Sequence, residues 1–211
     1  MTTQWHLEMR NKNRDEIIHS AQELFLELDV SGVGIKDICA KAGVSRVTFY
    51  KYFNSIDELA FEVQIKVMDE MNSYMNEHVT LNGSGREKLE ALLSAWAEFA
   101  KQHPNHFKYI GYFDHHYRDR YPNEELAERY RQSIDKSRGE FPLSVLLREG
   151  ISDGSIRRDL NVNEVGATIY ETMLSLLQRM TSRGEIIKKE HQIETSAIVK
   201  TALSMVLRYV Q

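Results

Sequence analysis

Between Ile35 and Phe53 the chain reads IKDICAKAGVSRVTFYKYF, and its hydrogen-bonding side chains are mostly donors. Lys36, Arg46, Thr48, Tyr50, Lys51 and Tyr52 offer cationic and hydroxyl groups, and no Asp or Glu occurs from Ile38 to Ile56. Donors without acids suit a polyanion. Carried on a short helix after a tight turn, they suit a DNA major groove, with base edges ahead and phosphates at the flanks. Arg46, at the helix start, can pair bidentately with guanine, and Val47 can meet a thymine methyl. Thr48 and Tyr50 have hydroxyls for phosphate or base, and Lys51 and Tyr52 lie toward the sugar–phosphate backbone. Lys36 can reach a phosphate or base edge from the start of the preceding helix, whose N-terminal amides favour an anion as well. Val44, Phe49, Phe53 and Cys39 are assigned to the core.

A second group of side chains lies in HPNHFKYIGYFDHHYRDRYP, residues 103–122. Three readings compete. One is a core helix with Phe107, Ile110, Phe113 or Asp114, and Tyr117 facing in. Another is one wall of an effector cavity, since ligand pockets in helical bundles are mostly apolar with a few convergent polar groups. That pocket would be lined by Trp96, Phe99, Phe107, Tyr112, Phe113, Tyr117, Tyr170, Met173 and Leu177. Such a wall suits a flat or bulky apolar effector, or a cation held by ring faces. The third reading, a metal site from His103, His106, His115 and His116, is the weakest. His103 and His106 flank Pro104 at a helix start, and the adjacent His115 and His116 diverge by about 100°. No metal or other cofactor is expected. Neither is an enzyme: the sequence has no P-loop, dinucleotide fingerprint, Gly-x-Ser-x-Gly elbow or His-Glu-x-x-His. Asp114, His115 and His116 splay too far apart on a helix to form a triad.

Bulk properties bound the class. The 211 residues are 42% hydrophobic and 27% charged, ordinary for a globular protein, with a net charge of −4. A protein coated with basic charge is excluded, so any nucleic-acid site must be local. Residues 1–55 hold seven Lys/Arg and seven Asp/Glu, which leaves the deficit in the remainder. Cys39 is the only cysteine, so neither an internal disulfide nor a Cys-rich zinc site is expected. The polar start predicts no signal peptide and no run suits a membrane span, which points to a cytoplasmic protein.

The elements that must position these groups read as helices. Ile17, Ile18, Ala21, Leu24, Phe25 and Leu28 follow a helical stripe and predict a helix over about 14–29. Helices over about 35–42 and 46–52 follow, with Gly43 left-handed between them and Ser45 capping onto Thr48. Ser55 and Glu58 form a capping box for a long helix toward residue 78. Residues 81–86 form a loop. Further helices are predicted over 86–102, 105–120 and 123–149, the last broken near Gly139 and Pro142. An irregular connection over 150–161 leads to helices over 162–183 and 189–210. In the last pair, Val165, Ile169, Met173, Leu176 and Met180 line one helix. Ile193, Ala197, Ile198, Ala202, Met205 and Tyr209 line the other. With Leu174, Leu177, Leu203 and Leu207 this exceeds one buried stripe, which predicts a homodimer through a four-helix interface.

The segments RDEIIHSAQELF and IKDICAKAGVSRVTFYKYFNSIDEL resemble the TetR family of bacterial transcriptional repressors, in an ordered match over about 45 residues. The resemblance implies an all-α fold of about nine helices. Residues 1–55 would be a three-helix helix-turn-helix DNA-binding domain, and residues 56–211 a larger effector-binding and dimerisation domain. It implies a homodimer on a near-palindromic double-stranded operator, released by a small-molecule effector. Positions matching Lys51 and Tyr52 contact DNA in the family. An alternative is the same scaffold as a regulator or activator controlled by a protein partner. Two departures stand out. The lysine that often grips a phosphate at the start of the fourth helix is replaced by Ile56, and the small hydroxyl residues before the second helix by Val33 and Gly34. Residues 1–13, with Arg10, Lys12 and the neighbouring Arg14, would either compensate as a flexible arm or form a disordered tail.

Overall fold

The computed structural model describes residues 4–28, 30–78, 82–118, 120–140 and 143–211, with side chains from 12 to 135 and from 143 onward within those ranges. Among these residues the chain is all-α. Ten α-helices run in order: α1 Gln4–Leu28, α2 Ile35–Lys41, α3 Arg46–Phe49, α4 Ile56–His78, α5 Gly85–Gln102, α6 Pro104–Tyr117, α7 Glu124–Glu140, α8 Leu143–Asp153, α9 Val162–His191 and α10 Thr195–Tyr209. They form two compact units. The first takes residues up to Met68 with Tyr109–Ile134; the second takes Asp69–Lys108 with Asp135–Gln211. The unit holding the three N-terminal helices therefore extends past residue 55, and α4, α6 and α7 each pass from one unit to the other.

Several expected boundaries shift. α1 begins at Gln4, so the backbone of residues 4–13 is helical rather than an arm or a tail; the Arg10 side chain lies outside the described residues. α3 is one short turn, and Tyr50 closes it as C-cap. α9 does not stop near Arg183. Gly184 continues the helix because α10 passes close by: a β-carbon there would stand 3.3 Å from the Thr195 methyl. The left-handed Gln192, at φ 54°, ends α9 instead. α8 likewise continues through Gly150, whose missing side chain admits Ile156, while the missing side chain of Gly85 lets α5 approach the Gly150 backbone. The expected break near Pro142 and the start of the loop at Leu81 lie outside the described residues.

In the first unit Ile17, Ile18, Ala21 and Phe25 of α1 are buried, as are Ile38, Cys39, Phe49 and Phe53. Val44, assigned to the core, is only half-buried because it sits in the turn itself, and Leu28, at the end of the α1 stripe, is exposed. The second unit surrounds a core that includes Leu89, Leu92, Trp96 and Phe107, and α9 contributes Val165, Ile169, Met173 and Leu177. Val165, Ile169 and Met173 thus belong to the chain's own core rather than to a partner surface, since the side of α9 that meets its neighbours must be apolar first. Leu207 of α10 is buried there too. What stays exposed is an outer set: Ile186, Ile193, Met205 and Tyr209.

Candidate nucleic-acid interface

The turn between α2 and α3 is fixed by local chemistry. Gly43 takes φ +64°, a left-handed conformation that costs glycine little, and the Val44 amide donates to the Cys39 carbonyl at 3.0 Å. The Ser45 hydroxyl accepts from the Thr48 amide at 3.0 Å, capping α3. It also bonds the Thr48 hydroxyl at 2.9 Å, so that hydroxyl is already engaged in the cap. Phe49 and Phe53 anchor the helix in the core. With those anchors buried, Arg46, Val47, Tyr50 and Lys51 are exposed; Val47 is 70% and Tyr50 55% accessible. The Phe49 ring meets the Tyr50 ring edge-on at 5.5 Å. Tyr52 and Thr48 are half-buried, and Lys36 is exposed on α2.

Elsewhere the phosphate-binding capacity expected from sequence is reduced. At the start of α2, the Asp37 carboxylate accepts from the Gly34 amide at 2.9 Å, so an acid already occupies part of that N-terminus. Val33 is buried in the core, which accounts for an apolar residue at that position. Ile56 is half-buried. Behind it, the Glu58 amide donates to the Ser55 hydroxyl at 3.1 Å, the expected cap. The return half of the capping box goes to Asn54 rather than Ser55: the Glu58 carboxylate accepts from the Asn54 amide at 2.7 Å and from its side chain at 2.9 Å.

Side chains far off in sequence brace this surface. Tyr109 donates its hydroxyl to the Ala60 carbonyl at 2.8 Å and stacks on Phe25 of α1. Tyr117 donates to Asp57 at 2.9 Å. Burial pushes both phenols above their usual range, and the Asp57 carboxylate adds to the effect at Tyr117, so both stay neutral donors. Phe61 is surrounded by the rings of Phe113, Tyr117, Tyr121 and Tyr130, with centroids 4.7 to 5.6 Å away. Glu62, its side chain only 8% exposed, accepts from Arg14 of α1 at 2.7 Å and from both terminal nitrogens of Arg129 on α7. Arg14 also lies over the Phe53 ring, 5.6 Å from its centroid. Sequence reading missed Glu62, Arg129, Tyr109 and Tyr130, because their partners, such as Ala60 for Tyr109 at 49 residues and Glu62 for Arg129 at 67, are too distant in the chain to leave a local spacing signal.

The nine residues proposed to line an effector pocket divide between the units. Trp96, Phe99, Phe107, Met173 and Leu177 are core residues of the second unit, and Tyr170 packs against Trp96 at 5.4 Å. Phe113 and Tyr117 belong to the ring cluster around Phe61, and Tyr112 stacks on His116. The histidines divide too. His106 bonds Glu70 at 3.0 Å beside His103 in the second unit, while His115 and His116 are in the first. No group of three or more metal-ligating side chains occurs among the described residues.

Residues 17–63 match the family model described as bacterial regulatory proteins, tetR family. That span contains the turn, the exposed α3 face and the Phe61–Glu62 pair. Residues 17–63 thus carry the tetR-family regulatory region. The likeness extends beyond this region. The HTH-type transcriptional repressor KstR2 of Mycobacterium tuberculosis is 27% identical over 165 residues, covering 77% of this chain and 78% of KstR2. The HTH-type transcriptional activator FasR of Mycolicibacterium smegmatis is 25% identical over 101 residues, covering 48% of this chain and 46% of FasR. The regulator FadR of Bacillus subtilis, solved in complex with stearoyl-CoA, shares the fold with a TM-score of 0.64 at 21% identity, over 92% of this chain and 97% of FadR. The ten helices are thus a TetR-family arrangement, a helix-turn-helix followed by a larger helical region. No helix among the described residues is long and apolar enough to cross a membrane.

Proposed function

We propose that this TetR-family chain is a ligand-responsive transcriptional repressor, without catalytic activity, that acts in the cytoplasm and binds a near-palindromic operator as a homodimer. The observation that carries the DNA-binding part is the α3 face: Arg46, Val47, Tyr50 and Lys51 are exposed together in an acid-free segment, while Phe49 and Phe53 hold the helix in place. Arg46 and Val47 are assigned to base edges, and Lys36, Tyr50, Lys51, Tyr52 and Thr48 to phosphates and flanking positions. Ile186, Ile193, Met205 and Tyr209, large apolar side chains left exposed along α9, α10 and their connection, support a partner there, because exposed apolar surface marks association sites.

The proposed effector is apolar and lipid-derived. Support comes from the ring- and methionine-bearing core of the second unit and from the stearoyl-CoA bound by FadR. Induction is then a difference in effector affinity between DNA-competent and incompetent states. α6 is a suitable carrier for such a shift. It starts in the second unit and reaches α4 in the first through the Tyr109–Ala60 and Tyr117–Asp57 bonds. FasR, an activator, keeps activation as the second reading. Selection of bound genomic fragments defines the operator, and Arg46→Ala then tests the site. The variant is expected to lose about 1–3 kcal/mol on that operator with relaxed preference at one position. Equal binding by both proteins at matched salt overturns the base-reading role.

A further inference from the structure

Ile56 leaves a gap where the TetR resemblance implies a backbone-gripping cation, and the next two residues, Asp57 and Glu58, make the start of α4 acidic. A duplex seated on α3 would meet two carboxylates there with no cation from α4. The α6–α7 connection lies at this place. Asn123 donates to the same Glu58 carboxylate, at 2.8 Å, that receives the Asn54 side chain at 2.9 Å. Asn54 is the residue after Phe53, so one end of the connection stands beside the turn that leaves the recognition helix. The other end is held by Tyr117 on Asp57. Between these two ties are the exposed Arg118 and Arg120. Arg118 turns back, at φ 41°, to donate its Nε to the His115 carbonyl. Arg120 borders an open cleft of about 230 Å³ with Asp57, His116, Tyr117, Tyr121 and Pro122. No carboxylate among the described residues forms an ion pair with its guanidinium, whereas Arg14, Arg129 and Arg131 are all paired.

We propose that Arg120, delivered to the start of α4 by the α6–α7 connection, grips a DNA backbone phosphate in place of the cation missing at Ile56. The inference rests on the DNA-binding reading above and adds to it a contact from outside the helix-turn-helix. It makes the site composite. α3 reads bases, and Arg120, more than 70 residues further along the chain, supplies an anchor, so the two contacts come from different parts of the chain. A guanidinium suits this role because its planar fork meets two phosphate oxygens at once and it remains charged at any working pH. An anchor carried on α6 would also respond directly to any movement of that helix.

A phosphate contact is independent of sequence, so a generic 30-base-pair duplex is a sufficient probe. Affinity of the full chain is measured by fluorescence anisotropy across a salt series for wild type, Arg120→Gln, Arg208→Gln and Arg120→Gln/Ile56→Lys. Arg208 is an exposed cation on α10 and controls for loss of one charge. The expected result is that Arg120→Gln flattens the plot of log affinity against log salt by about 0.9 for each Arg120 engaged. Arg208→Gln should leave the slope alone, and the lysine at position 56 should restore it. A slope unchanged in Arg120→Gln overturns the proposal, as does an equal change in Arg208→Gln. Failure of the lysine to restore a flattened slope also overturns it, since the loss would then come from disturbed packing. If wild type itself shows no salt-dependent binding, the DNA-binding reading fails and takes this inference with it.

Discussion

Glu62 is the residue whose loss should be felt most widely in the first unit. Its carboxylate is almost fully buried and holds arginines from two helices, one bond to Arg14 and a fork to Arg129. The hydrogen bonds that Arg129 donates to Glu62 also raise its guanidinium above its already high range. Glu62→Gln keeps the shape but removes the charge and one acceptor oxygen, so two guanidiniums lose their counter-ion. Breaking a buried pair from one side costs roughly 3–5 kcal/mol. Here the two arginine side chains are 32% and 43% exposed, so water recovers part of that loss. The reasoned cost is about 2 kcal/mol, a fall of about 4–8 °C in midpoint for a chain of this size. Urea unfolding followed by circular dichroism measures it. A double-mutant cycle with Arg129→Gln should return a coupling of about 1–2 kcal/mol. If Glu62→Gln lies within about 0.5 kcal/mol of wild type, desolvation cancels the pairing and the triad does not brace α1.

Two further outcomes follow from the second unit. Met205 is 66% exposed on α10 near Tyr209, so Met205→Glu should convert a dimer to monomer in sedimentation at micromolar concentration; a dimer that persists unchanged removes this residue from the interface. His103 has its pKa held below the ordinary histidine value of 6.5, first by burial and then by repulsion from His106. Protonation therefore favours the unfolded chain, so stability is complete above about pH 6.5 and falls as pH drops into the window below it. Melting temperatures from pH 7.5 to 5.5 should decline more in wild type than in His103→Asn, and parallel curves would contradict the assignment.

The helix-turn-helix was legible because its determinants are local. Gly43 needs only its own backbone freedom, Ser45 reaches three residues ahead to cap Thr48, and Phe49 and Phe53 share a helical face. Signals of that range survive in a single sequence. The ends of α8 and α9 were misread because Gly150 and Gly184 look like breakers, whereas each is small to admit a neighbour that the sequence does not show. Segment 103–122 could not be resolved for a related reason. Its rings fit a core or a pocket wall, with a metal site the weakest reading, and only position separates those roles.

The sequence by itself determined an all-α chain and the residues proposed for DNA contact, since both follow from helical period, caps and the absence of acids between Ile38 and Ile56. Tertiary structure alone decided that α6 and α7 complete the N-terminal unit through Tyr109, Tyr117 and Arg129. It also decided which apolar residues of α9 are core, and that Arg120 borders one cleft with Asp57 at the start of α4. The physical reason is range. Capping and periodicity act within a few residues, while burial and ion pairing depend on which distant surface a side chain meets, and that is settled only when the helices pack.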